Sequence, residues 1–165
     1  MIEERDGWFV VNVDDTPWYE TPSFGAVCSF EKRGEPFPQT GMRIYRIEPG
    51  KSNCRYHREA AQENFLVLSG ECLLLVNGEE RSLRAWDFVH CPPQVSHVFV
   101  GAGDGPCYLL AVGHRPAQRE LWYPESELAR RHGAETAEPT DDPAVAYRDD
   151  TPWGPGRRPA DWPPR

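Results

Sequence analysis

Two blocks of this 165-residue sequence, Gly50 to Gly70 and Trp86 to His97, set the strongest limit on its fold. Both carry side chains that ligate divalent metals, and such an ion needs several nitrogen and oxygen ligands at roughly 2.0–2.3 Å at once. No short loop supplies His57, Glu59, Glu63 and His97 together, so a fold that uses them must bring separate strands face to face. Residues of equal parity share one face of a strand. His57, Glu59 and Glu63 are odd, as are Phe65 and Val67 beyond them, and His97 shares its face with Phe99. Regular pairing therefore sets polar ligands above an apolar core, with Arg58 pointing away. Two carboxylates buried there would cost several kcal/mol without a partner, and a divalent cation is the simplest compensation. The other reading leaves Glu59 solvated at a strand end and His57 capping a loop.

From Trp8 to about His114 the chain reads as short strands parted by turn residues, which predicts an all-β barrel or sandwich. The expected strands are Trp8–Val13, Met42–Ile47, Phe65–Leu68, Cys72–Val76, Trp86–His90, Val98–Val100 and Tyr108–Val112. Asn77-Gly78 accepts the positive φ angles of a tight primed turn, so Glu71 to Arg84 should form one hairpin. The glycine-rich run Gly101 to Gly105 lies between two strands rather than opening a helix and is expected to be a hairpin loop, which excludes a nucleotide site there. Pro124 to Gly133 reads as a short helix, with acids first, bases last and a glycine to stop it.

Beyond Ala134 the composition changes to prolines, with Pro139, Pro143, Pro152, Pro155, Pro159, Pro163 and Pro164, and few aliphatics. Such a segment fills no core of its own and by composition is disordered. Trp153 and Trp162 argue otherwise, because aromatic surfaces of that size are expected to dock on the barrel or on a second subunit. Asp149 to Trp153 also repeats Asp14 to Trp18. The expected organisation is one unit in four parts: an N-terminal strand extension over 1–41, a barrel core over 42–114, a connector with the helix over 115–133, and the proline-rich tail over 134–165.

A formal charge of −8 leaves no basic face for nucleic acid or anionic lipid. No apolar run reaches the ~18–20 residues of a membrane span, and the first residues are too polar for a signal peptide, so the expected location is cytoplasmic. Five cysteines without C-x-x-C spacing suggest neither a disulfide framework nor a thiolate zinc site. Cys72, Cys91 and Cys107 read as small core residues; Cys54, three positions before His57, is either core or a reactive thiol near a ligand.

The spacing of the first block, with His57 six positions before Glu63 and Glu63 seven before Gly70, resembles the cupin pattern of glycine, His-x-His, glutamate and glycine. Asp87, Pro92 and His97 fit the second cupin block. Three positions depart: Glu59 stands where the family has its second histidine, Trp86 replaces the opening glycine of the second block, and Gln94 replaces the glycine ahead of His97. The resemblance covers roughly residues 42–113 and is nearest to small single-domain bacterial cupins. It implies a double-stranded β-helix (jelly-roll) barrel, a homodimer, and a divalent metal held by His57, Glu59, Glu63 and His97.

Two ligating carboxylates would cancel the charge of the ion and disfavour an anionic substrate. Oxygen-rich ligation suits Mn or Fe, while the imidazoles also accept Zn or Ni. The function expected is a metal-dependent enzyme, dioxygenase- or isomerase-like, acting on a small organic molecule. The alternatives are a non-catalytic small-molecule binding or sensing barrel, or a structural dimer with a vestigial site. Arg43, Tyr45 and Arg46 lie where an early strand can reach a ligand cavity; His90 reads as a core or surface histidine, and Arg130-Arg131-His132 as helix-end stabilisers.

Overall fold

Short alternating segments can bury one face only by pairing across the chain, and the fold is built from that pairing. The structure, a computed structural model, describes residues 3–31, 34–118 and 120–164. In chain order the strands are β1 (Glu3–Arg5), β2 (Trp8–Val10), β3 (Trp18–Thr21), β4 (Gly25–Ser29), β5 (Thr40–Ile47), β6 (Arg58–Glu59), β7 (Glu63–Ser69), β8 (Glu71–Val76), β9 (Glu79–Arg84), β10 (Phe88–Cys91), β11 (His97–Ala102), β12 (Cys107–His114), β13 (Leu121–Trp122) and β14 (Gly154–Pro155). Two short helices, α1 (Glu127–Arg131) and α2 (Pro143–Ala146), flank the last of the barrel. A large sheet runs β10-β7-β12-β5-β4-β3-β14, and a small one runs β11-β8-β9. They face each other as the two walls of a jelly-roll barrel.

The interior follows parity. Ile47 from β5, Phe65 and Val67 from β7, Leu109 from β12, Leu74 from β8 and Phe99 from β11 pack into one buried cluster between the sheets. The hairpin around Asn77-Gly78 forms as expected, with φ of 46° and 82° at the two turn residues. β2 is shorter than the expected Trp8–Val13 strand, because the Asn12 side chain accepts from the Asp14 amide and starts a 3-10 turn. The run Gly101 to Gly105 is not a hairpin loop. It carries the chain from β11 in the small sheet to β12 in the large one, which is how the barrel changes walls. Gly101 passes so close to the neighbouring backbone that a Cβ there would lie 2.2 Å from the Glu48 carbonyl oxygen.

Both outer faces are partly covered. Leu128 and Ala129 of α1, with Ala134, pack on Tyr56, Leu75, Val98 and Val100 behind the small sheet. The helix is capped by Ser126, whose hydroxyl accepts from the Ala129 amide, and Gly133 follows it at φ +66°, as its sequence predicted. The proline-rich segment returns across the large sheet. Gly154–Pro155 pairs with β3, and Trp162 sits 5.9 Å from Trp18 and 5.3 Å from Tyr108, ring centre to ring centre. Trp153 stacks on Phe24 at 6.2 Å. Aromatic anchors and backbone pairing thus hold a segment whose composition is poor in aliphatic residues.

Candidate metal centre

His57 and His97 are cross-strand partners: each backbone amide donates to the carbonyl of the other, at 3.3 and 2.8 Å, which sets the rings 5.1 Å apart. Glu63 opens β7 with its side chain on the same interior face as Phe65, and Phe65 meets the His97 ring edge-on at 5.3 Å. One ligand atom from each of His57, Glu63 and His97 lies within 4.8 Å of the others. Glu59 is placed next to this group rather than in it. It closes β6, its carboxyl is hydrogen-bonded to Glu63, and it lines the same cavity. Arg58 is exposed and turned away.

The imidazoles are oriented by backbone. His57 Nδ1 lies 2.8 Å from the Arg55 carbonyl oxygen and His97 Nδ1 lies 3.0 Å from that of Val95. Carbonyls only accept, so both rings carry their proton on Nδ1 and keep Nε2 as the ligand atom. His97 is 3% exposed. Its Nε2 stands 3.1 Å from Glu63 Oε2, a buried oxygen left without a hydrogen-bond donor when the ring is neutral. Two lone pairs at that separation need a cation between them, which is the fit expected of a metal site.

Without a metal, a proton takes that place. Burial pulls the His97 imidazole down, but hydrogen bonds to Cys91 and Glu63 and the charge of Glu63 outweigh it and hold the ring up at about 10. Burial acts upward on Glu63; the hydrogen bond from His97 and the charges of His97 and His57 prevail and lower it. Burial, then the charges of Glu63 and Glu59, push the Cys54 thiol up.

The ligand group opens into two joined spaces. An inner cavity of about 190 Å³ is walled by Tyr123 and Tyr147 among others, and a vestibule of about 390 Å³ lies over Gly41, Gly113 and Arg115. Arg43, Tyr45, Glu59, Glu63 and Ala111 line both. Arg46, by contrast, lies on the opposite face of β5, paired with Glu48 and with Asp161 at 3.1 Å. His90 is exposed and bonds Asn64 at 2.8 Å, and His132 pairs with Glu80 at 2.7 Å at the end of α1.

Sequence reasoning missed Arg55, Tyr147 and Asp150. Arg55 donates to Asp150 at 2.9 and 2.5 Å and to the carbonyls of Gly133 and Glu135, both at 2.9 Å, while its amide donates to the Tyr147 hydroxyl at 3.2 Å. The C-terminal segment is thereby bolted to the residue whose carbonyl orients His57. No local spacing announces a contact between positions 95 residues apart.

The departures at Trp86 and Gln94 also resolve. Both residues adopt positive φ, +76° and +69°, the backbone conformation that favours glycine. They carry strain at two turns, and neither supplies a ligand atom to the group.

Among solved structures, a sugar phosphate isomerase of the cupin superfamily from Silicibacter pomeroyi aligns over 72% of this chain and 83% of its own, with 20% identity and a TM-score of 0.62. An Fe(II)-containing HppE aligns over 68% of this chain and 64% of its own, with 18% identity and a TM-score of 0.54. A structure from Acidithiobacillus ferrooxidans, provisionally assigned as a sugar phosphate isomerase, shares 28% identity over 50% of this chain; the alignment spans 55% of that protein and the TM-score is 0.48. The first two of these likenesses establish the fold alone. No curated protein matches the sequence significantly. No helix among the described residues is long and apolar enough to cross a membrane. Residues 43–113 match the cupin domain, and the jelly-roll barrel built around them has the fold of that domain.

Proposed function

We propose that the protein is a metal-dependent enzyme acting on a small organic molecule, with His57, Glu63 and His97 holding one divalent ion and Glu59 beside it. The observation that carries this reading is the convergence of one ligand atom from each of His57, Glu63 and His97 within 4.8 Å on the wall of the inner cavity. A bound ion there supplies Lewis-acid polarisation of a substrate oxygen or, as iron, redox chemistry with dioxygen. Three protein ligands leave coordination positions for water or substrate, which favours an enzyme over a closed structural site. Dioxygenase- or isomerase-like chemistry is the proposed level; a sugar phosphate isomerase and an Fe(II) protein share the barrel fold. Fe, Mn, Zn and Ni all suit two imidazoles and a carboxylate.

The test is elemental analysis of the untagged protein and of its Glu63→Ala and His97→Ala variants. About one equivalent of metal, lost in both variants, is expected. A protein that stays metal-free after reconstitution sinks the reading and leaves a binding or structural barrel.

A homodimer is part of the same proposal. Trp86 is 74% and Phe88 65% exposed at the β10 edge of the large sheet, where a second copy would cover both. Sedimentation at varied concentration tests it, and a monomer throughout refutes it. The five cysteines are free, which supports a reducing, cytoplasmic setting.

A further inference from the structure

The vestibule holds a cation that the metal reading does not use. Arg43 lies on the interior face of β5, opposite Ala111 in β12, and lines both the vestibule and the inner cavity. Tyr45, the next inward residue of its strand, lines both spaces beside it. Among the described residues no carboxylate stands within ion-pairing distance of Arg43. The other vestibule cation is committed: Arg115 donates to Glu31 at 2.8 Å and to the Phe37 carbonyl at 2.6 Å.

The strands leave room between Arg43 and Glu63. Register pairs Gly113 with Gly41 on one side and with Glu63 on the other, and Ala111 with Arg43 and with Phe65. The middle strand thus presents a glycine and an alanine where larger side chains would fill the slot. A Cβ at Gly113 would already touch the Glu63 side chain, at 3.5 Å.

We infer that Arg43 anchors the carboxylate of a small anionic substrate, held in this slot with its reacting end toward His57, Glu63 and His97. The inference rests on the metal reading for what the reacting end meets, but not for the anchor itself. A guanidinium presents a planar fork of donors that matches a carboxylate. Glu63 as ligand and Glu59 beside it offset an ion of charge 2+, so Arg43 supplies the excess positive charge that draws an anion into the slot. This differs from the expectation that two carboxylates disfavour an anionic substrate, because that charge count leaves out Arg43 in the same space. One uncommitted guanidinium suits a planar monoanion better than a phosphate, which asks for donors on three sides.

The test titrates zinc-loaded protein with fluoroacetate, fluoroacetamide and monofluorophosphate, following ¹⁹F shift and linewidth, in wild type, Arg43→Met and Arg43→Lys, with zinc content measured for each. Fluoroacetate is expected to bind, the neutral amide to bind at least about 10-fold more weakly, and Arg43→Met to lose about 10–100-fold for the carboxylate alone. Arg43→Lys should recover part of the loss, since it keeps the charge and drops the fork. No binding of fluoroacetate, equal binding of acid and amide, or tighter binding of monofluorophosphate overturns the assignment. Unchanged affinity in Arg43→Met also overturns it, since the metal alone would then hold the acid. Arg43-dependent binding by a chain that takes up no zinc upholds the anchor and sinks the metal reading. Normal zinc uptake with Arg43-independent binding does the reverse.

Discussion

Replacing Asp150 with alanine should loosen a wall of the candidate centre from a distance. Asp150 is 7% exposed and Arg55 17%, so the pair sits largely out of water. Removing one partner of a buried pair leaves a desolvated charge, at about 3–5 kcal/mol. Arg55 keeps its two carbonyl acceptors and its contact with the Phe24 ring, at 5.4 Å, which lowers the expected loss to about 2–4 kcal/mol. For a chain of this length that corresponds to a fall in Tm of roughly 5–15 °C. Tyr147 lines the inner cavity, and the Arg55 carbonyl orients His57, so metal affinity should fall about 10–100-fold as well. Calorimetric melting, limited proteolysis of the C-terminal segment and zinc titration read the three effects. Asp149→Ala is the control, because that carboxylate is largely exposed and only 3.6 Å from Arg148. An Asp150→Ala protein with unchanged melting, unchanged cleavage and unchanged zinc affinity would refute the claim that this clamp supports the site.

Two further outcomes follow from the centre and its flanking turns. His97 is held at about 10 against an ordinary 6.5, so its proton stabilises the metal-free fold fully below about pH 6.5 and the effect is lost as pH rises through 10. Zinc must expel that proton, so titration at pH 8 in buffers of different ionisation enthalpy should show about one proton released per ion; none released would contradict the assignment of Nε2 as a ligand. Trp86→Gly removes the strain of φ +76° at an exposed residue and should gain about 0.5–1 kcal/mol, read as a higher denaturation midpoint. A loss of stability that grows on dilution would instead mean the indole is covered by a second chain.

Much of the barrel was legible because parity and turn chemistry are local. Asn77-Gly78 gave the hairpin, and the odd positions Glu63, Phe65 and Val67 gave the inner face of β7. The candidate ligands followed from the same rule, since His57, Glu63 and His97 only had to share a face with Phe65 and Phe99. Glu59 shows where parity stops. It has the right phase, but β6 is two residues long and pairs with β13, whereas His57 just before it bridges to His97, so phase alone did not fix its distance to the His57–Glu63–His97 group. The Gly101 to Gly105 loop failed as a hairpin for a related reason: adjacency along the chain says nothing about which wall each strand joins.

The tail exposes a different limit of reading by composition. Low aliphatic content predicts that a segment builds no core of its own, and residues 134–164 indeed build none. Docking asks for less. A few anchors suffice when the receiving surface is already folded: Trp162 on Trp18 and Tyr108, Trp153 on Phe24, the Gly156 amide on the Trp18 carbonyl at 2.8 Å, Thr21 Oγ1 on the Thr151 carbonyl at 2.7 Å, and Arg46 on Asp161. Prolines help here, because a chain with fixed φ loses less entropy on ordering. The segment therefore reaches from Arg55 at the centre's edge to Trp18 on the far side of the large sheet. In this arrangement the shape of the inner cavity, through Tyr147, depends on contacts made well outside it.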